Sequence, residues 1–406
     1  QTRFWIFNCR EYLLIIFSVL SVDPASTITT SKFFEVCRVN DSKQRFKSFA
    51  RLKVQIIIDM VYCEERAMLD HIIRYLKLWY AAFPGGRELG RKIFNSSGYF
   101  YFTQKRIYQQ IKKPEKYNVL IETTNLCNAS CLMCPHKKLQ RRQQVMKETI
   151  FNKIIDRVKN ERLPVNKIIL SGFGEPLTDL GFIKRLRAVK ELGYPVKFYT
   201  NASLLTKTAS KQIIKMRLEE INISFNGTTT LEYRRIMGLN FEKTLKNVND
   251  LIAIKKELCS KYPVIRISMI LTKENKKSVQ KFIKQWKGKV DSVTVSMAHE
   301  WGAQNFQFSS ANWRINFQTY PCRSLWHTYN IDVNGDFTIC CRDYESKYVL
   351  GNIMKDSFAD IRKNKRLGEF QKKHLVFSEE KLPIMCRGCN FPFQGGAEWW
   401  MLRSID

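Results

Sequence analysis

From about residue 117 the apolar positions of the chain fall into a regular alternation. Short apolar runs that read as strands lie at Val119–Glu122, Ile168–Ser171, Val196–Thr200, Ile221–Phe225, Ile265–Leu271 and Val290–Met297. Between them, Lys147–Val158, Gly181–Leu192, Thr206–Met216, Phe241–Leu258 and Asn275–Trp286 carry apolar residues at helical spacing. Strands alternating with helices predict a parallel sheet with crossover helices, and right-handed crossovers curl such a sheet into a barrel or part of one. The expected fold class is α/β, a partial (β/α)6 TIM-like barrel over residues 116–300.

The flanks are different. Residues 1–115 contain an amphipathic stretch, Lys53–Ala82, that stops at Pro84-Gly85-Gly86, so a mostly helical N-terminal extension is expected, with no assigned role. Tyr12–Val22 is apolar and preceded by Arg3 and Arg10, an outline shared with signal peptides. It is too short to cross a bilayer and reads as a buried or interfacial helix. The chain begins at Gln1 rather than Met, and whether the natural start is present stays open. At the other end, residues alternate around Asn334-Gly335 between Tyr329 and Cys341, the signal of a β-hairpin with a type I′ turn. A small C-terminal β-hairpin/α unit is therefore expected over 301–406.

With 406 residues, 44% hydrophobic and 26% charged, the composition is that of a soluble globular chain of two or three domains. A net charge of +31 favours acidic partners. None of the basic stretches Lys105–Lys116, Lys137–Lys147 and Arg362–Lys373 interleaves with aromatics in a pattern that resembles a known nucleic-acid module, however, so they read as solvated helix faces. Twelve cysteines are few for a disulfide scaffold of this length, and seven stand in tight groups. That favours metal ligation in a reducing compartment, the cytoplasm. Cys9, Cys37 and Cys63 are too scattered to form a site, and His71 reads as a partly exposed polar residue.

Candidate chemistry gathers where the strands end, the face on which barrels of this kind place their sites. After the first strand come Cys127, Cys131 and Cys134. Three thiolates on one loop can hold three corners of a [4Fe–4S] cube and leave one iron open; with His136 they could instead form a Cys3His zinc site. After the second strand comes Gly172-Phe173-Gly174-Glu175-Pro176, where glycines let the backbone approach a ligand, and carbonyls and Glu175 can accept from an ammonium group. Thr200 and Asn201 end strand three, Ser224 and Asn226 end strand four, and Ser296 and His299 lie at the mouth beside strand six. A second set, Cys322, Cys340, Cys386 and Cys389, brackets the hairpin and could hold one fully ligated cluster or a zinc ion, with Cys341 a spare thiol.

The cysteine loop, the Gly174-Glu175 motif one strand and one helix later, and the closing Cys-x2-Cys together resemble the radical S-adenosylmethionine (SAM) superfamily with a C-terminal SPASM or twitch domain. The resemblance implies that SAM chelates the open iron through its amino and carboxylate groups and is cleaved reductively to a 5′-deoxyadenosyl radical. It places Gly172, Gly174 and Glu175 at the amino group, and Thr200, Asn201, Ser224 and Asn226 at the ribose and carboxylate. Arg234 or Arg235, ahead of the next helix, would also face the carboxylate. The implied cofactors are SAM, a SAM-binding [4Fe–4S] cluster and one auxiliary [4Fe–4S] cluster. Expected partners are a sugar, cyclitol or peptide substrate and an electron donor such as flavodoxin or ferredoxin. The implied activity is that of a radical SAM oxidoreductase that oxidises a sugar or cyclitol alcohol. His299 or Arg323 would handle the proton or substrate charge, or Cys341 would donate a hydrogen atom in a radical epimerase. Maturation of a ribosomal peptide is an alternative, and a zinc-stabilised, basic nucleic-acid-binding protein is the reading from another class.

Overall fold

The structure is a computed structural model. The chain divides into two units, residues 1–106 and 107–406, and the residues described are 114–298, 301, 322–375, 381–387 and 389. The expectations for the N-terminal extension, including Tyr12–Val22, the helices of Lys53–Ala82, Cys9, Cys37, Cys63 and His71, and that for His299 at the barrel mouth, lie outside the described residues.

Six parallel strands form the centre: β1 (Tyr117–Ile121), β2 (Val165–Leu170), β3 (Val196–Thr200), β4 (Glu220–Ser224), β5 (Val264–Leu271) and β6 (Ser292–Met297). Each pairs with its neighbour in sequence. That order is singly wound: no strand order reverses, so all crossovers pass on one face and the sheet curls as a partial barrel. The crossovers are α1 (Glu148–Asn160), α2 (Phe182–Glu191), α3 (Lys207–Lys215), α4 (Thr230–Met237), α5 (Phe241–Glu257) and α6 (Val279–Trp286). Alternation within the strands divides the sheet into two faces. Val119, Ile121, Ile168, Leu170, Val196, Phe198, Ile221, Ile223, Ile265, Ile267 and Met269 are all buried, and form the core with the apolar stripes of the helices.

On the other, concave face the rows across β3 to β6 are mainly polar, whereas β1 and β2 contribute Leu120 and Ile169. Lys197 pairs with Glu220, Tyr199 with Asn222 and Arg266, and Ser224 with Ser268 and Thr294. Side chains join across these rows. Lys197 Nζ lies 2.6 Å and Arg266 Nε 3.1 Å from Glu220 Oε1, and Ser268 Oγ donates to Asn222 Oδ1 at 2.9 Å.

Helix α4 is an element that the hydrophobic pattern did not announce. Its N-cap is Thr229, whose hydroxyl accepts from Glu232 N, and its C-cap is Gly238 at φ +69°. Arg234 and Arg235, expected ahead of a helix, lie in its last turn with exposed side chains.

After the barrel come α7 (Ser324–His327), β7 (Thr328–Ile331), β8 (Asp336–Thr338), β9 (Val349–Asn352), α8 (Phe358–Lys363) and α9 (Lys365–Leu375). Strand β7 pairs in parallel with β1, while β8 and β9 follow antiparallel, so one nine-stranded sheet runs from β6 to β9. The β7–β8 turn differs from expectation. A type I′ turn needs positive φ at both central residues, and here Gly335 alone, at φ +83°, has it. Gly335 N bonds Asp332 O at 2.9 Å, which makes a type I turn over Val333 and Asn334 followed by a glycine bulge. Asp332 imposes it, because its Oδ1 accepts from both Asn334 N and Asp336 N. Among the described residues no helix is long and apolar enough to cross a membrane.

Candidate active site

The loop after β1 is anchored before its cysteines are reached. Glu122, Thr123, Thr124 and Asn125 are buried polar residues in succession, each with protein partners. The cysteine segment then lies along the C-terminal end of α4: Ser130 N bonds Met237 O and Leu132 N bonds Ile236 O, both at 2.9 Å. Those carbonyls belong to the last turn of a helix, which has no intrahelical donors for them. Gly238 permits the approach, since a Cβ there would stand 2.0 Å from Ser130 Oγ.

Cys127, Cys131 and Cys134 face one another closely enough for charge on any of them to be felt by another. Burial pushes the Cys127 thiol up to about 11, and burial with charge on Cys134 and Cys127 pushes Cys131 higher still. Buried thiols that repel one another as anions need a cation among them, and bound iron provides one. Backbone N–H groups already aim at sulfur, with Ala129 N donating to Cys127 Sγ and Arg342 N donating to Cys340 Sγ, each at 3.4 Å. His136 Nε2 is engaged by Asn125 O at 2.8 Å. The donor set therefore fits a cluster rather than the Cys3His zinc site.

The motif after β2 is packed on protein rather than held open. A Cβ on Gly172 would lie 2.2 Å from Glu122 Cγ, and one on Gly174 would lie 2.4 Å from Thr124 O. The two glycines are thus required for loop-on-loop packing. Glu175 is likewise a brace. Its carboxylate accepts Thr200 Oγ1 and Asn201 N, both at 2.6 Å, and Leu177 N at 3.2 Å. Burial pushes its pKa up to about 7 against the pull of those three donors. Asn201 extends the brace to the cysteine loop: its Nδ2 donates to Asn128 Oδ1 at 3.0 Å, and Asn128 Nδ2 donates to Ser203 Oγ at 2.8 Å.

The structure therefore brings Gly172, Gly174, Glu175, Thr200 and Asn201 against the cysteine loop. Ser224 lies on the concave face, whereas Asn226 Oδ1 is occupied by Ile270 N at 2.7 Å and ties β4 to β5. Arg234 is exposed on α4.

In the second set, Cys322 lies within electrostatic reach of Cys341 and Cys389, Cys340 of Cys341, Cys322 and Cys389, and Cys386 of Cys322 and Cys389, so the five thiols form one connected group. Burial pushes Cys322 up to about 12 and raises Cys386 further, each with charge on its neighbours adding to the rise. The hydrogen bond between Cys340 and Cys341 raises the first thiol and lowers the second, so Cys341 belongs to this cluster of sulfurs rather than standing apart from it. His374 supports Cys322, whose backbone N donates to His374 Nδ1 at 3.3 Å.

Between the two sets stands a wall that the motifs did not reveal. Arg141 makes a bidentate pair with Glu122, at 2.6 and 2.7 Å, and donates to Tyr344 O at 2.6 Å. Glu122 also accepts from Phe173 N and Val333 N. The Phe173 ring lies 5.5 Å from Trp301 and 6.0 Å from Tyr344. A long-range buried pair of this kind leaves only a polar residue after a strand as its trace in sequence.

Comparison with known proteins agrees with this geometry. Residues 121–285 match the model described as the radical SAM superfamily, and 322–390 match that of an iron–sulfur cluster-binding domain, SPASM. The chain is 27% identical over 161 residues to a tungsten-containing aldehyde ferredoxin oxidoreductase cofactor-modifying protein of Pyrococcus furiosus, covering 39% of this chain and 45% of that protein. It is 23% identical over 164 residues to a probable GTP 3′,8-cyclase of Saccharolobus islandicus, covering 40% and 50%. It thus spans half or less of these curated relatives. SuiB of Streptococcus suis, solved bound to its precursor peptide SuiA, shares the fold at a TM-score of 0.52 and 15% identity, over 69% of this chain and 71% of SuiB. Membership brings SAM and a [4Fe–4S] cluster as cofactors of the barrel, and iron–sulfur ligation as the property of the C-terminal domain. The chain belongs to the radical SAM superfamily and carries a C-terminal SPASM-type iron–sulfur domain.

Proposed function

We propose that the protein oxidises an alcohol carbon of a polar small molecule, of the sugar or cyclitol class, in a reducing cytoplasm. The observation that carries this reading is the polar part of the concave face, where Tyr199, Asn222, Ser224, Arg266 and Ser268 lie in rows on β3, β4 and β5, strands parallel to the one that leads into the cysteine loop. Hydroxyls, amides and a guanidinium suit a substrate made of hydroxyl groups and would leave an apolar one with unmatched polar neighbours.

Cys127, Cys131 and Cys134 would hold one cluster with an iron left for SAM, and Cys322, Cys340, Cys386 and Cys389 would hold the other. Bound there, these groups supply reductive cleavage of SAM, a radical that removes a hydrogen atom, and an acceptor for one electron. The chain's own residues do the rest. Backbone carbonyls around Gly172 and Gly174, with Ser224, receive SAM, and the Glu175–Thr200–Asn201–Asn128 brace fixes the loop that presents it. The Phe173–Trp301–Tyr344 wall keeps water from the space between the two sites. Loss of a hydrogen atom, a proton and an electron from one carbinol gives a ketone, with His299 taking the proton and the Arg323 guanidinium meeting charge on the substrate. Flavodoxin or ferredoxin would deliver the initiating electron.

The test is anaerobic reconstitution of the full chain. About eight irons per chain, for two cubes, and 5′-deoxyadenosine formed with dithionite are expected. C127A should abolish SAM cleavage, whereas C386A should spare it and abolish ketone formation from a sugar or cyclitol panel. Solvent deuterium entering an unoxidised product would replace this reading with epimerisation through Cys341. Turnover of a peptide alone would replace it with peptide maturation, and stoichiometric zinc with RNA binding would end it.

A further inference from the structure

Arg342 is a cation that adjoins both thiol sets. Arg342 follows Cys341 directly, and its own N–H donates to Cys340 Sγ at 3.4 Å. Its guanidinium lies over the Trp301 ring, 4.7 Å from the centroid. That ring is fixed from the opposite side, because Trp301 Nε1 donates at 2.8 Å to the carbonyl of Met133, the residue before Cys134. Phe173 holds the ring from a third direction at 5.5 Å. The chain from Cys134 through Met133 and Trp301 to Arg342 and Cys341 is therefore continuous. The guanidinium is thereby held between a ring bonded to the barrel cysteine loop and the backbone that runs through Cys340 and Cys341.

A guanidinium is charged at every working pH, and stacking on an aromatic face holds it in one place. Reducing an iron–sulfur cluster adds one negative charge, so a fixed cation nearby favours the reduced form, and nearby charge is among the terms that set cluster potentials. We propose that Arg342, clamped on Trp301 between the barrel loop and the auxiliary hairpin, is a positioning residue that holds up the reduction potentials of both clusters together. This rests on the two-cluster reading above and adds to it a residue that no ligand motif contains.

The experiment is a potentiometric titration of the reconstituted full chain, followed by electron paramagnetic resonance, with the two reduced signals separated by adding SAM, which perturbs the barrel cluster. In R342Q both midpoint potentials should move to more negative values at unchanged iron content, and in R342K, which keeps the charge, both should stay near the parent. Unchanged potentials in R342Q overturn the proposal and leave Arg342 a packing residue. An equal shift in R342K also overturns it, since shape rather than charge would then be responsible. If R342Q loses iron, W301F takes its place: it loosens the clamp and retains the cation, and a shift of both signals supports the proposal while no shift overturns it. Failure of the parent chain to assemble two clusters would count against the two-cluster reading itself, and that outcome is distinct from two assembled clusters that ignore residue 342.

Discussion

At Glu175 burial and hydrogen bonding pull in opposite directions. Three donors favour the carboxylate, but removal from water is the larger effect, and the group is held near 7 instead of its ordinary 4.5. The sign of the consequence is fixed by linkage. Between those two values the folded chain keeps a proton that the unfolded chain has lost, so stability from this group is full below 4.5 and is lost as the pH rises through about 7. E175Q should therefore flatten the fall in urea midpoint between pH 5 and pH 8 that the parent shows. Separately, it should cost about 1–3 kcal/mol at all pH values, because its amide would face the Asn201 N–H. Parallel pH profiles for the two proteins would contradict the account. The sequence showed Glu175 as a polar residue at a strand end and suggested that it faced a ligand. Which way it points was not legible, since Thr200 and the Asn201 amide reach it only across the folded sheet.

Helix α4 shows what an element can do unseen. Thr229 and Gly238 are an N-cap and a left-handed C-cap, and Tyr233, Ile236 and Met237 are buried at i, i+3 and i+4. With eight residues it offers two turns of periodicity, too few to stand out beside the seventeen of α5. Yet its last carbonyls hold the cysteine loop through Ser130 and Leu132. G238A should strain a left-handed residue and push a Cβ against Ser130 Oγ. The expected outcome is loss of iron and SAM cleavage from the barrel site, with the auxiliary iron retained, and partial recovery in G238A/S130A. Equal loss of iron at both sites would mean that the substitution acts on folding at large. The six long strands and their helices were legible because each carries its period locally. The hairpin was legible too, but its turn type was decided by Asp332, a capping residue outside the Asn-Gly pair.

At the scale of the whole described region, the barrel and the auxiliary hairpin are one sheet. β7 lies against β1 in parallel register from Asn118↔Thr328 to Ile121↔Ile331, a pairing across some two hundred residues that no local pattern announces. Above that pair, Glu122 of the barrel accepts from Val333 of the hairpin and Phe173 of the β2 loop, and Arg141 holds its charge in place. The pair is nearly dry, with 10% and 4% of the two side chains exposed, and Asp332 stands 3.9 Å from the guanidinium. R141M would leave one carboxylate buried without its cation and a second beside it, a loss of about 3–5 kcal/mol. Because Glu122 bonds both sides of the joint, the damage cannot stay on one of them. In hydrogen exchange, the segments around residues 119–126, 171–175 and 331–339 should lose protection together, while α5 and β5 remain slow. Denaturation should keep a single transition at a lower midpoint, since the shared backbone ladder leaves no boundary at which the hairpin could unfold alone. Loss of protection confined to 331–339, with β1 unaffected, would instead make the iron–sulfur domain an appendage that folds by itself. In that case the alignment of the two thiol sets would have to come from the Trp301–Arg342 contact without help from the sheet.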